Sequence, residues 1–214
     1  MKTTLLLIRH GQSEGNVASV FTGHCGYPLS SLGHQQAART AEYIKGKYNV
    51  DAVYSSDLPR AFQTAEYTAR AFGLPVIVDA RFREINGGAW EDIPYARLPE
   101  LYPEAYGRWK ADIGNSRCTD GESVMELADR VWLGLRDIAT RHPGQCIAIA
   151  THATPVRSVL WRIADVPPSG MQQISWGSNC AVSEFQFEDG KLTAAYTNFT
   201  GHLAGMETSL PKDV

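Results

Sequence analysis

Three short aliphatic runs, each ending on a turn that holds a basic side chain, constrain this chain most. Leu5-Leu6-Leu7-Ile8 reads as a strand buried on both faces, and it stops at Arg9-His10-Gly11, where a glycine-containing turn begins. Asp51-Ala52-Val53-Tyr54 reads as a second strand. It closes on Ser55-Ser56-Asp57-Leu58-Pro59-Arg60, a turn that starts a helix with Ser56 or Asp57 as its cap and Pro59 in its first turn. Cys146-Ile147-Ala148-Ile149-Ala150 is a third, delivering Thr151-His152-Ala153 before Pro155 opens another helix. Crossover helices between such strands make them parallel, so their carboxyl ends line one edge of the sheet, the edge at which open α/β sheets bind ligands.

Arg9, His10, Arg60 and His152 then converge in one crevice. Two guanidiniums and two imidazoles brought together repel one another unless an anion sits among them. The helix starts expected after Gly11, Asp57 and Ala153 add backbone N–H donors and positive dipole ends aimed at the same place. The arrangement asks for a dianion, most simply a phosphoryl group.

The rest of the chain fits that frame. A helix is predicted over 32–48, with Ala37, Ala41 and Ile44 at helical spacing, and another runs from Arg60 to about Phe72, stopped by Gly73-Leu74-Pro75 ahead of a strand at Val76-Ile77-Val78. The longest helix, over 122–142, places Val124, Leu127, Val131, Leu135 and Ile138 on one stripe. Residues 180–188 and 191–197, joined at Asp189-Gly190, read as an antiparallel hairpin at one edge. The expected fold is a three-layer α/β/α sandwich with a mainly parallel central sheet and one antiparallel edge strand, a single domain over 1–214. Residues 86–118 interrupt the rhythm with Trp90, Tyr95, Tyr102, Tyr106 and Trp109. They read either as a surface loop with a short helix or as a lid over the substrate, and their placement between a strand and the long helix favours the lid.

Composition excludes several classes. With 20 basic against 23 acidic residues and no basic stripe, the chain has no footprint for nucleic acid. The apolar run after Met1-Lys2 is too short for a signal peptide, and no segment spans a bilayer, so a cytoplasmic protein without a membrane partner is expected. Cys25, Cys118, Cys146 and Cys180 lack paired spacing and read as reduced thiols. The six histidines show no metal-ligand spacing, which argues against a metallohydrolase.

A displacement at phosphorus by histidine needs a proton donor for the departing alkoxide. A carboxyl beside a bound anion is driven toward its protonated form. Glu84, in Phe82-Arg83-Glu84-Ile85-Asn86, follows a strand and a turn and can face the crevice.

Arg9-His10-Gly11-x-Ser13-x-x-Asn16, Ser55-Ser56-Asp57-x-x-Arg60-Ala61-x-x-Thr64-Ala65, Glu84 before Gly88-x-Trp90-Glu91, Gly121-Glu122-Ser123, and Thr151-His152 before Arg157 together resemble the histidine phosphatase superfamily, in its phosphoglycerate-mutase-like branch. The resemblance covers nearly the whole chain in the same order. It implies that His10 attacks phosphorus and becomes a phosphohistidine. Arg9, Arg60 and His152 hold the phosphoryl oxygens with help from Asn16 and the backbone N–H of Ala153, and Glu84 donates to the leaving group and then deprotonates water. No metal and no cofactor is implied.

Two departures from the family pattern stand out. Gly23-His24-Cys25-Gly26-Tyr27-Pro28-Leu29-Ser30 lacks the acidic residue usual in that loop, and the second histidine is followed by Ala153 in place of glycine. His24 reads as a solvent-exposed loop residue, and His34, His142 and His202 as structural or surface side chains. The expected activity is hydrolysis of a small-molecule phosphomonoester. The alternatives are mutase-type phosphoryl transfer, which family members achieve with a longer and more basic insertion, and a non-catalytic phospholigand-binding protein. Only Arg97, Arg108, Lys110 and Arg117 are basic within 86–118, which favours the phosphatase. A homo-oligomer is left open.

Overall fold

A computed structural model describes residues 1–208; residues 209–214, the end of the expected 1–214 domain, lie outside the described residues. Strands β1 (Thr3–Arg9), β2 (Ala52–Ser55), β3 (Val76–Val78), β4 (Cys146–Thr151), β5 (Val182–Glu188) and β6 (Lys191–Phe199) form one sheet in the order β3-β2-β4-β1-β5-β6. The pairings from β3 through β1 are parallel, whereas β5 is antiparallel to β1 and β6 to β5. The expected antiparallel edge is therefore two strands wide: β5 runs against the rest one place in from the edge, and β6 forms the edge. Asp189 and Gly190 both have positive φ, 49° and 78°, as a two-residue hairpin turn requires, and they send the chain straight back.

Helices α1 (Glu14–Val17), α2 (Ser31–Lys47), α3 (Pro59–Phe72), α4 (Leu98–Leu101), α5 (Pro103–Ala111), α6 (Val124–Arg141) and α7 (Ala153–Ala164) complete the element order with several 3-10 turns. The period of a strand divides them into two layers. Leu5, Leu7, Tyr54, Ile147 and Ile149 face Val131, Leu135 and Ile138 of α6 and Val156 and Val159 of α7. Leu6, Ile8, Val53 and Ala148 face Ile44 of α2 and Ala65 and Ala69 of α3. This is the expected three-layer α/β/α arrangement.

Two helix starts differ from expectation. The helix after Gly11 begins only at Glu14, capped by Ser13, whose hydroxyl accepts from Asn16 N while the Asn16 side chain accepts from Ser13 N. Neither Ser56 nor Asp57 caps α3. Its N-cap is Leu58, without a side-chain bond, because Pro59 occupies the first helical position, where no N–H donor is needed. The Ser56 hydroxyl instead accepts from Leu58 N at 3.1 Å, and Asp57 pairs with Arg83.

The 86–118 segment is not a loose loop. Trp90 is completely buried and meets Phe21, Tyr106 and Trp109 edge to face at 5.5, 5.8 and 5.6 Å, within the same apolar cluster as α6. Its base is closed by glycine: Gly88 has φ 53°, and a Cβ there would stand 2.3 Å from the Thr119 carbonyl oxygen.

Candidate active site

The register brings three chain segments to one level. Arg9 pairs with Thr151 across β1 and β4, and Ser55 with Ala150 across β2 and β4, so adjacent strands end together. The loop after β1 is pressed against the start of α2, where a Cβ on Gly11 would lie 2.5 Å from the Gly33 carbonyl oxygen. Gly11 N donates to Thr64 Oγ1 at 3.0 Å and Gln12 N to Gln36 Oε1 at 2.8 Å, which fixes the turn that carries His10.

His10 is 3% exposed, and its Nδ1 lies 2.7 Å from the Gly11 carbonyl oxygen. A carbonyl can only accept, so Nδ1 carries the proton and Nε2 the lone pair. Burial, then the charges of Arg60 and Arg9, hold this imidazole well below its ordinary pKa. It is therefore neutral, with a free nitrogen, at neutral pH.

His152, the N-cap of α7, packs its ring 5.1 Å from that of His10. Its Nε2 lies 2.9 Å from Ser56 Oγ, and its buried Nδ1 has no partner. Burial, followed by Arg60 and His10, lowers its pKa as well. Arg60 is wholly buried. Its Nη2 donates to Gly23 O at 2.7 Å and its Nη1 to Cys25 O at 2.9 Å, and burial lowers the guanidinium to about 10. Arg9 donates through Nη1 to Gly177 O, and desolvation lowers its pKa against the opposing pull of Glu84. The Nε of each arginine is buried without a partner. Among the described residues, neither forms an ion pair.

A partly open cleft lies over this cluster. Its lining combines Arg9, His10, Asn16, Glu84 and Ala153 with the aromatic residues Phe21, Tyr95, Trp109 and Trp176. Arg60 and His152 do not line the opening; both are fully buried, His152 with its ring against that of His10. Glu84 accepts from Ile85 N through Oε1 at 2.8 Å and from Thr154 N, in the first turn of α7, through Oε2 at 3.4 Å. The Asn16 oxygen accepts from Ser13 N at 3.0 Å and from Asn179 Nδ2 at 3.3 Å, which leaves its amide NH2 as the end free for a ligand. The geometry supplies a neutral nucleophile, two underused guanidiniums, and a carboxyl group in the same cleft.

The model of the histidine phosphatase superfamily (branch 1) matches residues 5–200. The chain belongs to the histidine phosphatase superfamily. It is 34% identical over 191 residues to "Phosphoglycerate mutase-like protein 4" of Arabidopsis thaliana, covering 87% of this chain and 80% of that one. It is 30% identical over 199 residues to "Phosphoserine phosphatase 1" of Hydrogenobacter thermophilus, covering 93% of each. The chain spans 55% of the length of the mycobacterial relatives it matches at 32% identity. Its fold matches that of a mycobacterial glucosyl-3-phosphoglycerate phosphatase in complex with VO3, with a TM-score of 0.84 and 26% identity over 92% of this chain and 99% of that one.

Several residues of this candidate site carry no local signal in the sequence. Ser56 was read as a cap, and its contact with His152 spans 96 positions. Asn179 donates to the His10 carbonyl at 2.9 Å, and Phe21 and Trp176 reach the cleft from unrelated loops. His24 is not the exposed loop residue expected: it is half-buried, with Nε2 2.9 Å from the Glu84 carbonyl oxygen. His34, His142 and His202 meet Tyr67, Tyr54 and Thr40 away from the cleft, in structural roles. All four cysteines are free, no helix among the described residues is long and apolar enough to cross a membrane, and no cluster of three or more His, Cys, Asp or Glu side chains there could hold a metal ion.

Proposed function

We propose that this protein is a phosphomonoesterase that hydrolyses a small-molecule phosphate ester through a phosphohistidine at His10. The observation that carries the reading is the His10 tautomer: Nδ1 is tied to the Gly11 carbonyl, and the other nitrogen is unprotonated among buried cations that have no carboxylate partner. In this reading, His10 Nε2 attacks phosphorus and the ester oxygen leaves with a proton from Glu84. Glu84 then takes a proton from water, the resulting hydroxide attacks phosphorus, and the P–N bond breaks to release phosphate. Arg9, Arg60, His152, Asn16 and the Ala153 N–H hold the three non-bridging oxygens. Fixed donors of this kind stabilise the charge of a loose phosphoryl transition state with little covalent work.

The aromatic side of the cleft suits an apolar or ring-bearing leaving group. None of Arg97, Arg108, Lys110 and Arg117 lines it, so it offers no second cation to grip the carboxylate of a sugar acid, which favours hydrolysis over a mutase exchange. The 86–118 insertion, which contributes Tyr95 and Trp109, serves as the lid. The reading needs no metal, and activity unchanged by a chelator is the outcome it expects. A cytoplasmic location is in keeping with four unpaired thiols.

Rapid quenching with a ³²P-labelled aryl phosphate tests the reading. Acid-labile, alkali-stable label on His10, lost together with turnover in His10→Ala, is expected. Full activity in His10→Ala overturns the reading, binding without turnover selects the phospholigand-binding alternative, and isomerisation of 3-phosphoglycerate with a bisphosphate primer selects the mutase.

A further inference from the structure

We infer that Arg130, braced by Glu122, is a positioning residue for Glu84 and sets how well this protein protonates a poor leaving group. The inference rests on Glu84 as the proton donor.

Glu84 stands in an irregular segment, after the 3-10 turn Ala80–Phe82 and before the turn Gly88–Trp90, so no strand or helix ladder holds its backbone. Its carboxyl has one firm local bond, to Ile85 N, and a long one of 3.4 Å to Thr154 N. The backbone is gripped from α6. Arg130 Nη1 donates to Arg81 O at 2.7 Å and Arg83 O at 2.8 Å, and Nη2 donates to Glu84 O at 2.8 Å. The other edge of the same guanidinium meets Glu122, with Nε to Oε1 at 2.7 Å and Nη2 to Oε2 at 2.8 Å.

Glu122 brackets the far side of Glu84: its Oε2 accepts from Asn86 N at 3.2 Å, and its own N–H donates to Asn86 O at 2.9 Å. The two side chains are only 22% and 15% exposed. A surface ion pair of this kind ordinarily contributes little. Here the arginine spends its donors on the three carbonyls leading into Glu84, a pattern that a planar fork can satisfy and an ammonium cannot. Proton transfer depends on sub-ångström placement of the donor, so a grip on the Glu84 backbone acts on chemistry more than on phosphate binding.

The test compares phenyl phosphate, a poor leaving group, with 2,4-dinitrophenyl phosphate, a good one, in the wild type, Arg130→Lys, Glu84→Gln and the double variant. Arg130→Lys is expected to lower kcat/KM, which reports the steps through P–O cleavage and not the later attack of water, by about 10- to 100-fold for phenyl phosphate, to leave that of the dinitrophenyl ester within about 2-fold, and to add nothing to Glu84→Gln. Its affinity for orthovanadate is expected to stay at the wild-type value. Equal loss on both esters, or a full additional loss in the double variant, overturns the inference. If Glu84→Gln itself has no leaving-group dependence, the proton-donor reading falls and this inference with it. If Glu84→Gln has it and Arg130→Lys does not, only the positioning role falls. Should Arg130→Lys fail to fold, Glu122→Gln, which keeps one acceptor and turns an NH2 donor toward either the Arg130 guanidinium or Asn86 N, loosens the brace and is expected to shift the same ester ratio in the same direction, and no shift overturns the inference.

Discussion

The cationic floor, with Arg9 and His10 lining the cleft and Arg60 and His152 fully buried against them, keeps hydrogen-bonding capacity unused, while the aromatic wall is packed and satisfied. On the floor, three of these side chains keep a buried nitrogen without a partner, and desolvation lowers the pKa of all four. Behind the wall, Trp90 is enclosed by Phe21, Tyr106 and Trp109, and its indole N–H donates to Thr119 Oγ1 at 3.1 Å. The wall stabilises the fold; the floor costs stability until an anion arrives. Activity and stability are thus expected to respond oppositely to substitution in the two places.

The largest contrast is expected from Trp90→Ala, which removes a wholly buried indole and should lower unfolding free energy by about 3–5 kcal/mol, read by urea denaturation. A cost below about 1 kcal/mol would show that the wall is not the structural half of the cleft. Arg60→Met should do the reverse. It is expected to cut kcat/KM by about 100-fold or more, roughly 3 kcal/mol of transition-state stabilisation, while leaving the urea midpoint unchanged or higher. A loss of stability matching that of Trp90→Ala would break the comparison.

The smallest effect concerns pH. Because His10 and His152 are held below their ordinary pKa by burial first and neighbouring cations second, the unfolded chain binds more protons than the folded one as pH falls below about 6.5. Stability without ligand should therefore decline on acidification below that pH, by up to about 1.4 kcal/mol per pH unit for each histidine. A bound dianion favours the protonated imidazoles and should flatten the decline. Denaturation series with and without phosphate check both halves.

The sheet and the floor were legible in the sequence because both are written locally. Each floor residue follows an aliphatic run within a residue or two, or, for Arg60, a strand–turn–helix junction, and the right-handed crossover rule does the rest. The unbroken aliphatic run Leu5-Leu6-Leu7-Ile8, read as a strand buried on both faces, is likewise consistent with helices on both sides of the sheet. What escaped was long-range. The α3 cap differs from expectation because Ser56 spends its hydroxyl on Leu58 N and His152, and the latter contact has no trace in neighbouring residues. The antiparallel edge came out two strands wide since a hairpin signal does not say which arm pairs with the parallel set. His24 was assigned to solvent because nothing in its loop announces the Glu84 carbonyl. Arg130 lay on a helix face where charge usually means solvent, and only the fold brings that face against the segment bearing Glu84.

A crystal structure of the protein with orthovanadate, a mimic of the pentacoordinate phosphoryl group, tests the anion site most directly. The expected result is vanadium bonded to His10 Nε2, with Arg9, Asn16, Arg60 and His152 on its equatorial oxygens and the Glu84 carboxyl beside the apical oxygen opposite His10. Vanadate seated elsewhere, or a His10 ring turned so that Nδ1 leaves the Gly11 carbonyl and Nε2 points away from the metal, contradicts it.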